Sequence, residues 1–186
     1  KNGVLTVNAV KKSTGAIISL EDTSAQITIV VPADHELSEL TIEGNNSAID
    51  INEVSIKKVN TKTHDGWVSF NEFTGGTITA KDELGSLRLD EANVDNLIVT
   101  GENSNFHLED SLISKEGKVI LNGGNLSLHE MENSGYTIQT SGESYIEKDY
   151  QPITNILLEQ GQKKLKITAK DTSINITTDQ EDNETD

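Results

Sequence analysis

Carboxylates are the residues of this chain whose types and spacing come nearest to chemistry. Asp50, Glu53, Asp90, Glu91, Glu109 and Asp110 each follow a short apolar run at a similar place. If those runs stack on one another, the acids gather on neighbouring segments near one edge. Paired carboxyls can supply the acid and base of glycoside cleavage. An acidic edge also attracts calcium, which takes about six to eight oxygen ligands. Each chemistry needs more than acids, however. A sugar-cleaving site uses aromatic platforms and cations to hold its substrate, and the chain offers Trp67, three tyrosines and the single arginine Arg88. A calcium loop needs the D-x-[DN]-x-[DN]-G pattern or the glycine-rich nonapeptide, and neither occurs. Weak surface calcium binding stays open, and no catalytic, cofactor-binding or metal residue is assigned.

The four histidines, His35, His64, His107 and His129, would matter if two of them converged with carboxylates. His107 falls on an outward row with Asp50, Ser69, Arg88 and Ser127, a ladder of unlike residues with no ligand geometry. His64 precedes Asp65-Gly66 in a turn, and His129 follows the Leu126/Leu128 pair. Solvated surface histidines are expected. The absence of cysteine removes thiol nucleophiles, disulfides and thiolate metal sites. Phosphate-loop and nucleophile-elbow patterns are missing too, so nucleotide chemistry has no support.

The elements that must position these side chains come from a repeat between Leu40 and Tyr150. Apolar residues two apart open each copy, as in Leu40/Ile42, Leu97/Val99, Val119/Leu121 and Tyr136/Ile138. That is the period of a strand with one buried face. A polar turn follows, such as Gly44-Asn45-Asn46-Ser47 or Asn122-Gly123-Gly124-Asn125, built from residues that tolerate positive φ. A second alternating pair comes next, as in Ile49/Ile51, Val68/Phe70, Leu87/Leu89, Phe106/Leu108 and Leu126/Leu128. A weaker third side ends the copy, at Val54/Ile56, Phe73, Ala92/Val94, Ile113 and Met131. Taking the starts at Leu40, Val59, Ile78, Leu97, Val119 and Tyr136, the steps are 19, 19, 19, 22 and 17 residues. Nine residues separate the first strand from the second in every copy except the fifth, which is shorter by two.

A coil of 19 residues cannot bury its apolar faces alone, and stacking cures this. The pattern therefore predicts an all-β fold: a parallel, β-helix-like solenoid of about six three-sided coils over 40–150, with right-handed winding as the default for parallel crossovers. Residues 1–39 hold runs at Val4–Val7, Ile17–Leu20 and Ile27–Val31 that are out of phase, and are expected as an irregular N-terminal β cap. Residues 151–178 read as a C-terminal β cap made of a meander, Ile153–Leu158, Leu165–Thr168 and Ile174–Thr177. Residues 179–186 carry five acids and no apolar residue, the composition of a disordered tail.

Charge narrows the partners. Thirty-one acids against 15 bases give a formal charge of −16, which repels phosphate backbones and anionic lipid. Nucleic-acid binding is not expected, cationic partners are favoured, and the repulsion keeps the domain a monomer. The chain starts at Lys1 and has no apolar run of membrane-spanning length. It reads as a piece of a longer product whose anchor lies elsewhere.

The run Ile27-Thr28-Ile29-Val30-Val31-Pro32, followed by Leu40-Thr41-Ile42-Glu43-Gly44 and the repeated coils, resembles an adhesin family of bacterial cell-surface proteins, a domain of unknown function with β-solenoid repeats found widely in Gram-positive bacteria. The resemblance implies an extracellular domain attached to membrane or wall. It supplies no catalytic residue and no cofactor. The expectation is a non-catalytic interaction or adhesion module, contacting a host or envelope surface protein or a glycan through outward ladders such as Thr41, Asn60, Thr79, Ile98 and Thr137. Ile98, with Ile120 near it, is an apolar irregularity on that face, explained most simply by strand propensity. Alternatives are an envelope-stress sensor that captures cationic peptides on its acidic surface, and a carbohydrate-active enzyme using Asp90 and Glu109.

Overall fold

Period-two alternation makes these residues strands, and the residues at the corners decide where each strand turns. The structure, a computed structural model, describes residues 36–129, 135–153, 156–158 and 163–178. The first three turns are β1 (Leu40–Asn45) with β2 (Ala48–Asn52), β3 (Ser55–His64) with β4 (Trp67–Asn71), and β5 (Thr74–Glu83) with β6 (Ser86–Asp90). In the next two turns the strand runs through the corner, so β7 (Asn93–Glu109) and β8 (Leu112–His129) each line more than one side. The remaining strands are β9 (Gly135–Ser141), β10 (Tyr145–Lys148), β11 (Gln151–Ile153), β12 (Ile156–Leu158), β13 (Lys163–Lys170) and β14 (Ser173–Thr177).

Parallel pairing stacks the turns into a β-solenoid. On the first face Leu40, Val59, Ile78 and Leu97 are successive register partners. On the second face Ile49, Val68, Leu87, Phe106 and Leu126 follow one another in the same way. A short third side carries Ile56, Gly75, Val94 and Ile113 in line, with Leu37 bridged to Ile56. The core is the column inside these walls, where Val59, Ile78, Phe70, Leu89, Leu108 and Leu128 are fully buried. Phe70 meets Phe73 edge to face, with ring centroids 5.2 Å apart. That is the offset geometry aromatic quadrupoles favour.

Corners are built from left-handed residues, one per turn and in register. Asn46, Asp65, Leu84 and Asn103 take φ of 51°, 51°, 60° and 49° at the first corner, and Gly123 takes 77° in the fifth turn. Glu53, Glu72, Glu91 and Asp110 do the same at the second corner, with φ of 50°, 47°, 49° and 42°. At both corners the amide of the left-handed residue donates to the next turn, as Asn46 does to His64 O at 2.8 Å and Glu53 to Asn71 O at 3.1 Å. The bend therefore leaves the ladder unbroken.

Two register expectations are corrected. The apolar pattern places Val119 over Leu97, but Val119 pairs with Val99, and Gly117 is the partner of Leu97. With Gly117 as the start, the steps become 20 (117 − 97) and 19 (136 − 117), and the fifth turn keeps the nine residues to Leu126. The one extra residue lies in β8, where Ser114 and Lys115 between Ile113 and Glu116 stand opposite the single Asp95 between Val94 and Asn96. A glycine shows no side chain to a hydrophobicity pattern. Leu121, one of the residues misassigned by that slip, is buried and leans over Gly101, where a Cβ would come within 2.7 Å of its Cδ2. In the following coil Ile146, not Tyr145, pairs with Ile174 and is buried, while Tyr145 faces out.

The C-terminal expectation is corrected as well. Residues 151–178 do not all lie at the end of the stack. β13 runs parallel between β8 and β9, pairing Ile167 with Val119 on one side and Ile138 on the other. β14 lies likewise between β8 and β10, with Ile174 between Leu126 and Ile146. Only β11 and β12 act as an end, pairing antiparallel with β10 and β9. The chain thus lays down the coil 135–148, folds β11 and β12 onto it, and returns to fill the place beneath. Leu165, Ile167, Ala169, Ile174 and Ile176 are all buried there, so this coil completes the column from both sides. Most of the N-terminal stretch 1–39, together with Met131 and the tail 179–186, lies outside the described residues.

Candidate functional site

The titratable side chains converge on the outward side of the second face, at the fourth turn. Parallel register sets Arg88 beside His107 and Asp90 beside Glu109, and the following turn brings His129 beside Glu109. Because alternate residues point the same way, Arg88 and Asp90 share a face with His107 and Glu109. Arg88 Nη2 donates to Asp90 Oδ2 at 2.9 Å and to Glu109 Oε2 at 2.7 Å. His107 Nε2 lies 2.7 Å from the same Oε2. His129 Nδ1 lies 3.5 Å from Oε1.

Glu109 is the hub of this network. The hydrogen bond to His107 holds its carboxyl below the usual carboxylate range, against the opposing effect of burial, and Arg88 and His129 add to the lowering by charge. An arrangement of this kind keeps Glu109 anionic near neutral pH. A general acid needs the reverse, a carboxyl raised enough to carry a proton. His107 and His129 are half-buried members of the network, which corrects the expectation of solvated histidines. His107 is held by Glu109, two residues on along the same strand, and His129 by the same carboxylate from the turn before it.

The six carboxylates singled out in the sequence do fall near one edge, but they separate into two groups. Asp50, Asp90 and Glu109 point out from the second face, and Glu53, Glu91 and Asp110 stand at the left-handed corner. Asp90, Glu109 and Asp110 can bring one oxygen each within 4.8 Å of one another. Arg88 already occupies two of these three, so the trio is internally compensated. Toward the first turn the same face turns amide-rich: Asn71 donates to Asn52 Oδ1 at 2.7 Å and to Asp50 Oδ1 at 3.1 Å. Such side-chain ladders stitch stacked strands together.

The first face carries a different chemistry. Outward rows run Thr41, Asn60, Thr79, Ile98, Lys118, Lys166 and Thr137, and Glu43, Lys62, Lys81, Thr100, Ile120, Thr168 and Gln139. Lysines are therefore concentrated on the first face, and the left-handed acids on the opposite corner of the second. The net acidity of the chain is thus divided between two unlike surfaces. A shallow open depression between Glu43, Lys62, His64, Lys81 and Glu83 lies on this face. His64 stands there 3.5 Å from Glu83 and is exposed.

One polar pair is inside. Thr63 and Asp82 point into the column from neighbouring turns, and the threonine hydroxyl donates to Asp82 Oδ1 at 2.6 Å. Asp82 Oδ2 is buried and has no hydrogen-bond partner. Period-two alternation carried on from Val59/Thr61 and Ile78/Ala80 sets Thr63 and Asp82 inward, but two polar residues at a strand end read as the start of the turn.

No helix among the described residues is long and apolar enough to cross a membrane. No family model, curated protein or solved structure matches the chain.

Proposed function

We propose that this domain is a non-catalytic interaction module of a bacterial cell-envelope surface protein, and that it works through the flat outward faces of its solenoid. The observation that carries this reading is the pair of continuous outward ladders, each in register turn over turn and fixed by backbone pairing on both sides. A rigid face of that kind makes additive contacts at a spacing of roughly 4.8 Å per turn, without ordering anything on binding. The resemblance of the coils to the surface adhesin family supports the extracellular placement. The anionic Glu109, bridged by Arg88 to Asp90, supports a surface network over an acid–base pair.

Retention of the labelled domain on isolated Gram-positive envelopes tests the reading. Saturable retention, reduced by charge changes on either face that leave the circular dichroism unchanged, is expected. Absence of retention on envelopes and on host-cell surfaces alike would remove it. A second reading is favoured by one feature, the exposed corner column Glu53, Glu72, Glu91 and Asp110, which repeats acid at every turn and suits a cationic peptide. Calorimetric titration with such a peptide should then show binding that weakens with salt and is lost in the quadruple amide variant.

A further inference from the structure

We propose that the first face, over the fourth and fifth turns and the inserted coil, is a docking site for an acidic polypeptide segment that also carries apolar side chains. The inference rests on the face-contact reading above and names its partner. Insertion of β13 beside β8 assembles the site, because it sets Lys166 directly against Lys118. Ile98 is the neighbour of Lys118 on the other side, and Ile120 stands in the next outward row beside Thr168. Ile98 is 44% exposed and Ile120 37%. From Ile98 and Thr100 across to Thr137 and Gln139, neither row contains a carboxylate, in a chain with 31 of them. Glu102 and Glu116 stand only at the rims.

Lys118 and Lys166 form no ion pair among the described residues, whereas Lys57, Lys58 and Lys115 each hold an acid. Two adjacent uncompensated ammonium groups on a strongly acidic chain repel each other unless an anion is brought to them. The isoleucines select the kind of anion. A sulfated or carboxylated glycan or a polyphosphate would neutralise the lysines and leave Ile98 and Ile120 without a partner, and the exposed aromatics Trp67, Tyr145 and Tyr150 lie on β4, on β10 and in the turn between β10 and β11, not in these two rows. A bilayer would receive only two β-branched side chains, too little apolar surface to hold it. An extended segment in a Glu-Glu-Leu-Leu order presents an acid and an aliphatic residue in turn on each of its sides, and so satisfies both chemistries at once.

The test is fluorescence anisotropy of the full chain with a labelled peptide of about ten residues in a repeating Glu-Glu-Leu-Leu order, long enough to cross four rungs spanning roughly 15–20 Å. Polyglutamate and a peptide of the same length in a Lys-Lys-Leu-Leu order are the comparison probes. Saturable binding of the first peptide is expected, weakening with salt, with affinity lowered at least about tenfold by K118E/K166E and about threefold by I98T/I120T. All four positions are exposed, so both variants should keep the parent urea midpoint. The proposal is overturned if the peptide does not saturate, if K118E/K166E binds unchanged, or if polyglutamate binds as tightly. If envelope retention persists without peptide binding, this partner fails and the face-contact reading stands. Loss of both removes both.

Discussion

Thr63 and Asp82 form a buried polar contact whose value lies in what happens when one partner goes. A single hydroxyl bond at 2.6 Å serves a carboxyl whose other oxygen has none. Replacing Thr63 by valine leaves Asp82 buried with both oxygens unsatisfied, and a loss of about 1–3 kcal/mol is expected. Adding Asp82→Val should restore most of it, because two apolar residues of similar size need no partner. Urea midpoints of the single and double variants decide the matter, and a double variant weaker than the single would contradict it. Glu109 makes a prediction in pH. Its pKa is depressed in the folded state, so its contribution to stability is fully present above the unfolded glutamate value and disappears as pH falls through the folded one. Urea midpoints between pH 7 and pH 3 should fall less steeply for Glu109→Gln than for the parent. The outward row holding His107 was legible in the sequence. Its pairing with Glu109 was not, because side chains two apart on one face meet only when the strand is formed and the neighbouring turn supplies Arg88.

At the scale of the strand and its corner, the left-handed residues set the lengths. Leu84 is the outlier in the ladder of Asp65, Leu84 and Asn103, since its φ of 60° crowds a Cβ and the residue is 52% exposed. Leu84→Asn should stabilise the domain by about 0.5–1 kcal/mol, seen as a raised urea midpoint, because asparagine tolerates this region and little packing is lost. Gly124 goes the other way. Its φ is 87° and an added Cβ would run into the Ser104 carbonyl, so Gly124→Ala should lose more than about 1 kcal/mol. Strands and turns were readable wherever large apolar residues mark the phase. They were misread where Gly117 hid it and where Tyr145, an aromatic, stood in for the buried Ile146 one residue later.

Over the whole solenoid, the inserted coil is the consequential feature. Ile167 is buried between Val119 and Ile138, so it supports the turns on both of its sides. Ile167→Ala should cost about 2–5 kcal/mol and weaken amide protection in β8 as well as β9. A coil acting only as a terminal cap would leave β8 protected, and hydrogen exchange distinguishes the two. The amino-acid sequence by itself determined that this chain forms parallel strands three sides to a turn, because a period of two inside a period of 19 has few other ways to bury its apolar residues. It also marked the first corner, where Asn, Asp and Gly recur, but not the second, where three of the four left-handed residues are Glu. Only the tertiary structure decided the order of the last coils, because Leu165, Ile167, Ile174 and Ile176 present the same alternation whether they close the end or fill a place between two turns. That order in turn decided the surface. Lys118 and Lys166 are 48 residues apart in the chain (166 − 118) and become neighbours only through backbone pairing, which no local pattern records.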